Sequence, residues 1–459
     1  WSDEDFTIKG PPYRFVSPTG GDIHPYSTPF WAAHSIQDAV DASDPGDSIM
    51  VAEGTYGETV TATASLHIMG GWDSGFTVRD PEIYESRIQR SGSCVSFMYL
   101  GTDYCGIEGM TIANGSGTSL SMPVLGNYGG GIFAYNSSPL IKENTFVNCG
   151  TASVLNFSGG GAISVYGGHA VIESNEITAC KGQAGGGIYL YMATADIIGN
   201  RITDCYGNFE YNGTRGGGGV YAYHGGFTME NNVISGCYDY KCGGAVYARF
   251  SPASLSGDSL YSNSVESSGG AVSAERDTMI FSGVVITGNT SGTFGGGIYG
   301  KSAYFEIENT IVAKNSSLFG GGIFPDSCTG VMTNNTFDRN TAAFSGGGIY
   351  LGGPGALDMR NNIFSYSSPY GVVAIDLTTN TYLYNNCYGN SPDDYSGPAP
   401  DTTNIYRNPH YADTTAFDYH LLVHSGSIDT GDPDIAYNDP DGSRADQGAF
   451  GGSAAVMAA

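Results

Sequence analysis

Apolar and polar residues alternate in short bursts along most of this chain, and glycine opens most of the bursts. After Gly187, Ile188 and Leu190 fall on one side, and Tyr189 and Tyr191 on the other. Period-two alternation of this kind predicts a β-strand. A tetrapeptide of two or three glycines ending in Ile or Val starts nine such strands, with last residues Ile132, Ile163, Ile188, Val220, Val246, Val272, Ile298, Ile323 and Ile349. The intervals are 31, 25, 32, 26, 26, 26, 25 and 26 residues. A near-constant period of this size predicts a solenoid. Each coil has room for about three short strands, and equivalent strands of successive coils stack roughly 4.8 Å apart. The expected fold is therefore all-β, a parallel β-helix with about 25–26 residues per coil. The two long intervals place insertions near residues 151–158 and 206–215.

Polar columns run beside the glycines. Asn144, Asn175, Asn200, Asn232, Asn309, Asn335 and Asn362 each stand two residues before an apolar position, and Asp258 and Val284 fill the same slot in two coils. Three residues after the apolar position come Cys149, Cys180, Cys205, Cys237, Asn263, Asn289, Lys314, Asn340 and Ser367. Stacked amides can hydrogen-bond to one another at an inward turn, so these columns read as architecture. The cysteines read as a buried ladder. A disulfide between rungs, or in the pairs Cys237–Cys242 and Cys94–Cys105, stays open. No Cys-x-x-Cys pair points to zinc or haem.

Two positions after each glycine cluster are expected to face outward. The first carries Phe133, Tyr189, Tyr221, Tyr247, Tyr299, Phe324 and Tyr350; the second carries Tyr135, Tyr166, Tyr191 and Tyr223. Together they predict an aromatic stripe, a candidate interaction surface for protein or glycan, unless loops cover it. Further along, the second column becomes Arg249, Glu275, Lys301 and Asp326, a charge ladder of alternating sign. Arg249 or Lys301 as base, with Glu275 and Asp326 on a calcium ion, would be the arrangement of a lyase, but two carboxylates are few for Ca²⁺. The Asp393-Asp394 pair lies in a loop. His169 and His224 sit in glycine turns and read as solvated. No catalytic residue is assigned.

The chain has 459 residues, with 45 acids against 18 Lys and Arg and a formal net charge of −27. This balance disfavours nucleic acid and anionic membranes as partners and favours divalent cations. The candidate metal ligands are Asp439, Asp441 and Asp446, in an Asp/Gly-rich turn that would take Ca²⁺. No apolar run reaches the length of a membrane span. The absence of an initiator Met at Trp1 is read as a removed leader. Asn-x-Ser/Thr sites occur at Asn114, Asn136, Asn156, Asn212, Asn289, Asn315 and Asn334.

Phe337-Asp-Arg-Asn340 and Phe146-Val-Asn-Cys149, alternating with the glycine tetrapeptides, resemble the repeats of chlamydial polymorphic outer-membrane proteins. The segments Ile36–Ala42, Pro45-Gly-Asp47 and 51–56 resemble the cap helix and first coil of the pectate-lyase-like superfamily. The segments 427–433, 439–444 and 446–450 resemble its closing region. The resemblance implies a right-handed, extracytoplasmic β-helix. It implies less about function, because this superfamily includes adhesins, lyases and hydrolases. The expected layout is an N-terminal arm at 1–30, a β-helix at 31–384 with a cap helix at 31–42, a closing segment at 385–452 and a tail at 453–459. The expected role is an extracellular or cell-surface structural or adhesive protein that self-associates, forming a filament through its apolar arms. The rival is a polysaccharide lyase or hydrolase.

Overall fold

In the computed structural model of the chain, residues 13–120, 126–151, 157–207, 216–375, 380–398 and 400–454 are described. Most of the expected insertions at 206–215 and 151–158, the apolar piece 6–8 and most of 454–457, and Asn156 and Asn212 lie outside them. The chain forms two compact units, residues 1–181 with 189–196, and residues 182–188 with 197–459. Both are built from parallel β-coils.

The second unit shows the coil most regularly. Strands Val246–Arg249, Ala253–Ser256 and Ser259–Tyr261 are followed one coil later by Val272–Glu275, Thr278–Ser282 and Val285–Thr287. The register is parallel and fixed, with Val246 beside Val272, Ala253 beside Met279 and Leu260 beside Ile286. Inward residues such as Val246, Leu255, Leu260 and Ile286 are fully buried. Burial in stacked apolar columns supplies the main driving force.

The chain bends after each strand through one residue in the left-handed backbone region. At the first corner these are His224, Phe250, Arg276, Ser302 and Ser327, with φ between 51° and 58°. At the later corners, such as those at Lys314 and Asn334, the next residue turns inward and carries the polar ladder. Asn335 Oδ1 accepts from Thr310 N at 2.9 Å, while its Nδ2 donates to Ile307 O at 2.8 Å and Asn362 Oδ1 at 2.9 Å. In the first unit Asn144 bonds to Asn175 in the same way. A second ladder runs Cys237, Asn263, Asn289, Asn315, Asn340, Ser367 and Asn390.

Two rungs differ from expectation. Asn309 is not in the ladder; Thr310 takes its slot, because Val312, not Ile311, pairs with Ile286. Asn309 occupies the left-handed corner and points out, donating to Ala449 O and Gly451 O at 3.0 and 2.8 Å. One residue of slip also moves Lys314 to a corner and puts Asn315 inward.

The cap helix is shorter than 31–42. It spans Ile36–Asp41, with Ser35 Oγ accepting from Asp38 N and the Glu58 carboxylate taking Ile36 N and Gln37 N. The expected arm is partly sheet, since Tyr13–Val16 pairs with the strand Asp47–Ala52. The coils continue beyond 384 through Asn386–Tyr388 and Tyr395–Ser396. The chain then returns along the unit. A hairpin, Tyr411–Asp413 with Asp418–Leu421, lays Tyr419 against Asp338, and Asn334 Nδ2 donates to Asp446 O at 2.8 Å. Ile311, Ala313, Tyr419 and Ala449 form a buried apolar cluster under this strap. Among the described residues no helix is long and apolar enough to cross a membrane.

Asn335→Ala leaves the buried Thr310 N–H without its acceptor and removes the side-chain bonds to Ile307 O and Asn362 Oδ1, the latter keeping the Asn335 N–H. The expected loss is roughly 3 kcal/mol of unfolding free energy, read from the denaturant midpoint.

Candidate binding groove

The second column of outward residues, at the end of the first strand in each coil, forms the predicted charge ladder. Arg249 lies beside Glu275, Glu275 beside Lys301, and Lys301 beside Asp326. Arg249 Nε stands 3.2 Å from Glu275 Oε2. The guanidinium is thus engaged within the ladder rather than free to face a substrate.

Immediately beyond this column, the first corner opens into a groove of about 600 Å³. Phe250, Pro252, Arg276, Asp277, Ser302, Ala303, Tyr304 and Ser327 line it. The groove exists because the corner side chains change size along the axis, from Phe and Arg down to Ser and Ala. The walls are aromatic and cationic. The Arg249 and Arg276 guanidiniums lie 5.5 and 5.6 Å from the Phe250 ring centre. His224 stacks on that ring at 4.9 Å, with 5° between planes.

Asp277 is the inward residue of this corner and is 7 % exposed. Its Oδ1 accepts from Ser251 N, as an Asn would in the ladder. Its Oδ2 has no hydrogen-bond partner. Burial drives its carboxyl up to about 7; the Ser251 N–H opposes this and the Glu275 charge adds to it. Asp258 stands in an amide slot of another ladder, where burial raises it to about 6. The sequence reading missed Phe250, Arg276, Asp277 and Tyr304. The signal was there, since Phe250, Arg276 and Ser302 recur every 26 residues one step after Arg249, Glu275 and Lys301.

The aromatic stripe is largely covered. Phe133 and Tyr189 in the first unit, and Tyr221 and Tyr247 in the second, are buried. In the first unit the cause is an extra three-stranded sheet, Thr118–Leu120, Gly126–Tyr128 and Phe157–Gly159. It lays Tyr128 5.7 Å from Phe133 and 6.3 Å from Tyr189. Tyr135, Tyr166 and Tyr191 remain half-buried in one stacked file, with centroids 5.3 and 4.7 Å apart. Tyr223 packs on His224, and Tyr299, Phe324 and Tyr350 are half-buried.

The proposed calcium ligands do not converge. Asp439 Oδ2 accepts from Asp446 N, Asp446 Oδ1 from Asp429 N, and Asp441 Oδ1 from Ser443, so each carboxylate caps a turn. Among the described residues no group of three His, Cys, Asp or Glu could hold a metal. Cys94, Cys105, Cys237 and Cys242 are free thiols, so the candidate pairs Cys237–Cys242 and Cys94–Cys105 do not form. Burial raises Cys94 and Cys105 to about 12. His169 is more than a solvated turn residue; it lies 2.9 Å from Thr194 Oγ1 and 3.3 Å from Asp196. Asn289, Asn315 and Asn334 are buried, whereas Asn114 and Asn136 are exposed.

The sequence profile described as Right handed beta helix region matches residues 61–260 and 218–388, more than half of the chain. This protein belongs to the right-handed β-helix family. No curated protein matches its sequence. Among solved structures it is similar to the pectate lyase Pel9A, at 16% identity and a TM-score of 0.37, covering 95% of this chain and 96% of that one. A complex of XylC with xylose gives 11% identity and a TM-score of 0.36 over 86% and 83% of the two chains. A rhamnogalacturonan lyase gives 13% and 0.32 over 82% and 87%. These are likenesses of fold.

The raised carboxyls set the sign of the pH dependence. A group whose folded pKa lies above its unfolded value of about 3.9 stabilises fully below that value and loses the contribution as pH rises through the folded pKa. For Asp258 and Asp277 the loss runs from about pH 4 to about 6 and 7. The Asp258→Asn/Asp277→Asn variant is expected to match wild type near pH 4 and to exceed it increasingly up to pH 7. The gap widens by at most about 1.4 kcal/mol per pH unit for each proton, measured by chemical denaturation across that range.

Proposed function

We propose that this protein is an extracytoplasmic, adhesive β-helix that holds a carbohydrate in the corner groove of its second unit. One observation carries the reading: an open cleft of about 600 Å³ in which an aromatic ring, an exposed guanidinium and a buried carboxyl converge. Its volume suits a small ligand or a few units of a longer one. Apolar ring faces match the C–H faces of a pyranose, and the exposed Arg276 provides donors for its hydroxyls. The exposed Asn114 and Asn136 and the resemblance to secreted β-helix proteins support a location outside the cytoplasm. The rival lyase reading loses support from Arg249, which is engaged with Glu275 and Phe250.

Calorimetric titration with soluble xylan and polygalacturonate tests the proposal. Wild type is expected to bind one of them. Arg276→Ala and Phe250→Ala are each expected to weaken that binding about tenfold without altering the melting temperature. Failure of wild type to bind either, or unchanged affinity in both variants, sinks the groove as the site.

A further inference from the structure

The late coils of the second unit carry a second aromatic feature, separate from the groove walls. Tyr299, Phe324 and Tyr350 stand on successive first strands, with centroids 6.1 and 5.2 Å apart and the last pair only 15° from parallel. Phe294, Phe319 and Phe344 make a neighbouring file, 5.9 and 5.3 Å apart. The two files interlock, since Phe294 lies 4.7 Å from Phe324 and Phe319 lies 5.7 Å from Tyr350. Earlier in the same column Tyr221 and Tyr247 are buried, but here the rings are half-exposed and Phe344 is 64% exposed. The result is a shelf of six interlocking rings, five of them partly buried and Phe344 exposed.

The shelf adjoins the groove. Tyr299 and Lys301 alternate on one strand and face the same side; the chain then turns through Ser302 into Tyr304, which lines the groove. The boundary between the two is the charge ladder. There, burial and the nearby Asp326 carboxylate raise the phenol of Tyr299, and the Tyr247 hydroxyl donates to Glu275 Oε2 at 3.1 Å. Flat rings edged by carboxylates and an ammonium suit a ligand with apolar faces and a hydroxyl rim. A wholly apolar partner would have to desolvate those charges without compensation.

We infer that the shelf is a second carbohydrate subsite, continuous with the groove, so that the ligand is a chain of sugars lying across the charge ladder with its distal units stacked on the two ring files. The inference rests on the groove reading and adds to it the direction and minimum extent of the ligand. Stacking beyond the groove predicts that affinity depends on chain length.

The test is calorimetric titration with xylo-oligosaccharides and oligogalacturonides from disaccharide to hexasaccharide. It compares wild type with Phe344→Ala and with Phe319→Ala/Phe344→Ala, alongside light scattering for mass. Wild type is expected to gain roughly tenfold in affinity from the shortest to the longest binder. The shelf variants are expected to lose that gain and keep the short-oligomer affinity. Phe344→Ala removes an exposed ring, so its fold is expected to survive, and an unchanged melting temperature verifies this. Length-independent binding, or a gain that survives in both variants, overturns the subsite and leaves the groove standing. A concentration-dependent dimer that Phe344→Ala abolishes also overturns it, by placing a second copy on the shelf. If no oligosaccharide binds wild type, the groove reading falls and the subsite falls with it.

Discussion

The amide that one coil extends to the next is the interaction on which this structure depends. Parallel strands alone would set a spacing but leave the pairing free to slide. A slip of one residue would turn every inward side chain out. The inward Asn prevents this because one side chain closes three bonds at once. Asn315 takes the backbone N–H of Asn289 and donates both to Ile286 O and to Asn340 Oδ1. Those groups are buried, so a shifted register would strand all of them without water. The ladder therefore selects one winding among many that the apolar columns would accept.

Most of the fold was legible because its determinants are periodic and local. The glycine tetrapeptides, the alternation after them and the amide columns each follow from backbone geometry within a coil. The misplaced rungs arose where the residue pair Asn309 and Thr310 offered two fillers for one slot. A constant distance would have decided it, since the inward apolar residue lies fourteen places after the tetrapeptide in the coils ending at Val220, Val246 and Val272, which selects Val312 after Ile298. The aromatic stripe was misread for a different reason. Alternation says which side of a strand a residue takes, but not what later packs on that side. The sheet that lays Tyr128 on Phe133 and Tyr189 comes from segments outside the regular coil. The calcium reading failed because short Asp/Gly turns consume their own carboxylates.

The groove went unread because its members form no contiguous motif and are joined only by a 26-residue recurrence. Phe250, Arg276 and Tyr304 come from three coils and meet only through the winding. Asp277 shows how scaffold and site share parts. It does an amide's work with one oxygen, toward Ser251, and leaves the other beside a cleft. A carboxyl in that position costs stability when ionised and is the kind of perturbed group that collects at functional positions.

The left-handed corner residues have a consequence for how such a protein diversifies. His224, Phe250, Arg276, Ser302 and Ser327 share nearly one backbone conformation while carrying an imidazole, a benzene ring, a guanidinium and two hydroxyls. The bend thus tolerates very different side chains at equal geometry, while the inward amides of the other corners carry the register. Specificity and folding are assigned to different letters of the same repeat. Exchange of a corner letter rewrites the outer relief one rung at a time, much as type is reset in a fixed frame, and the scaffold beneath keeps its pitch.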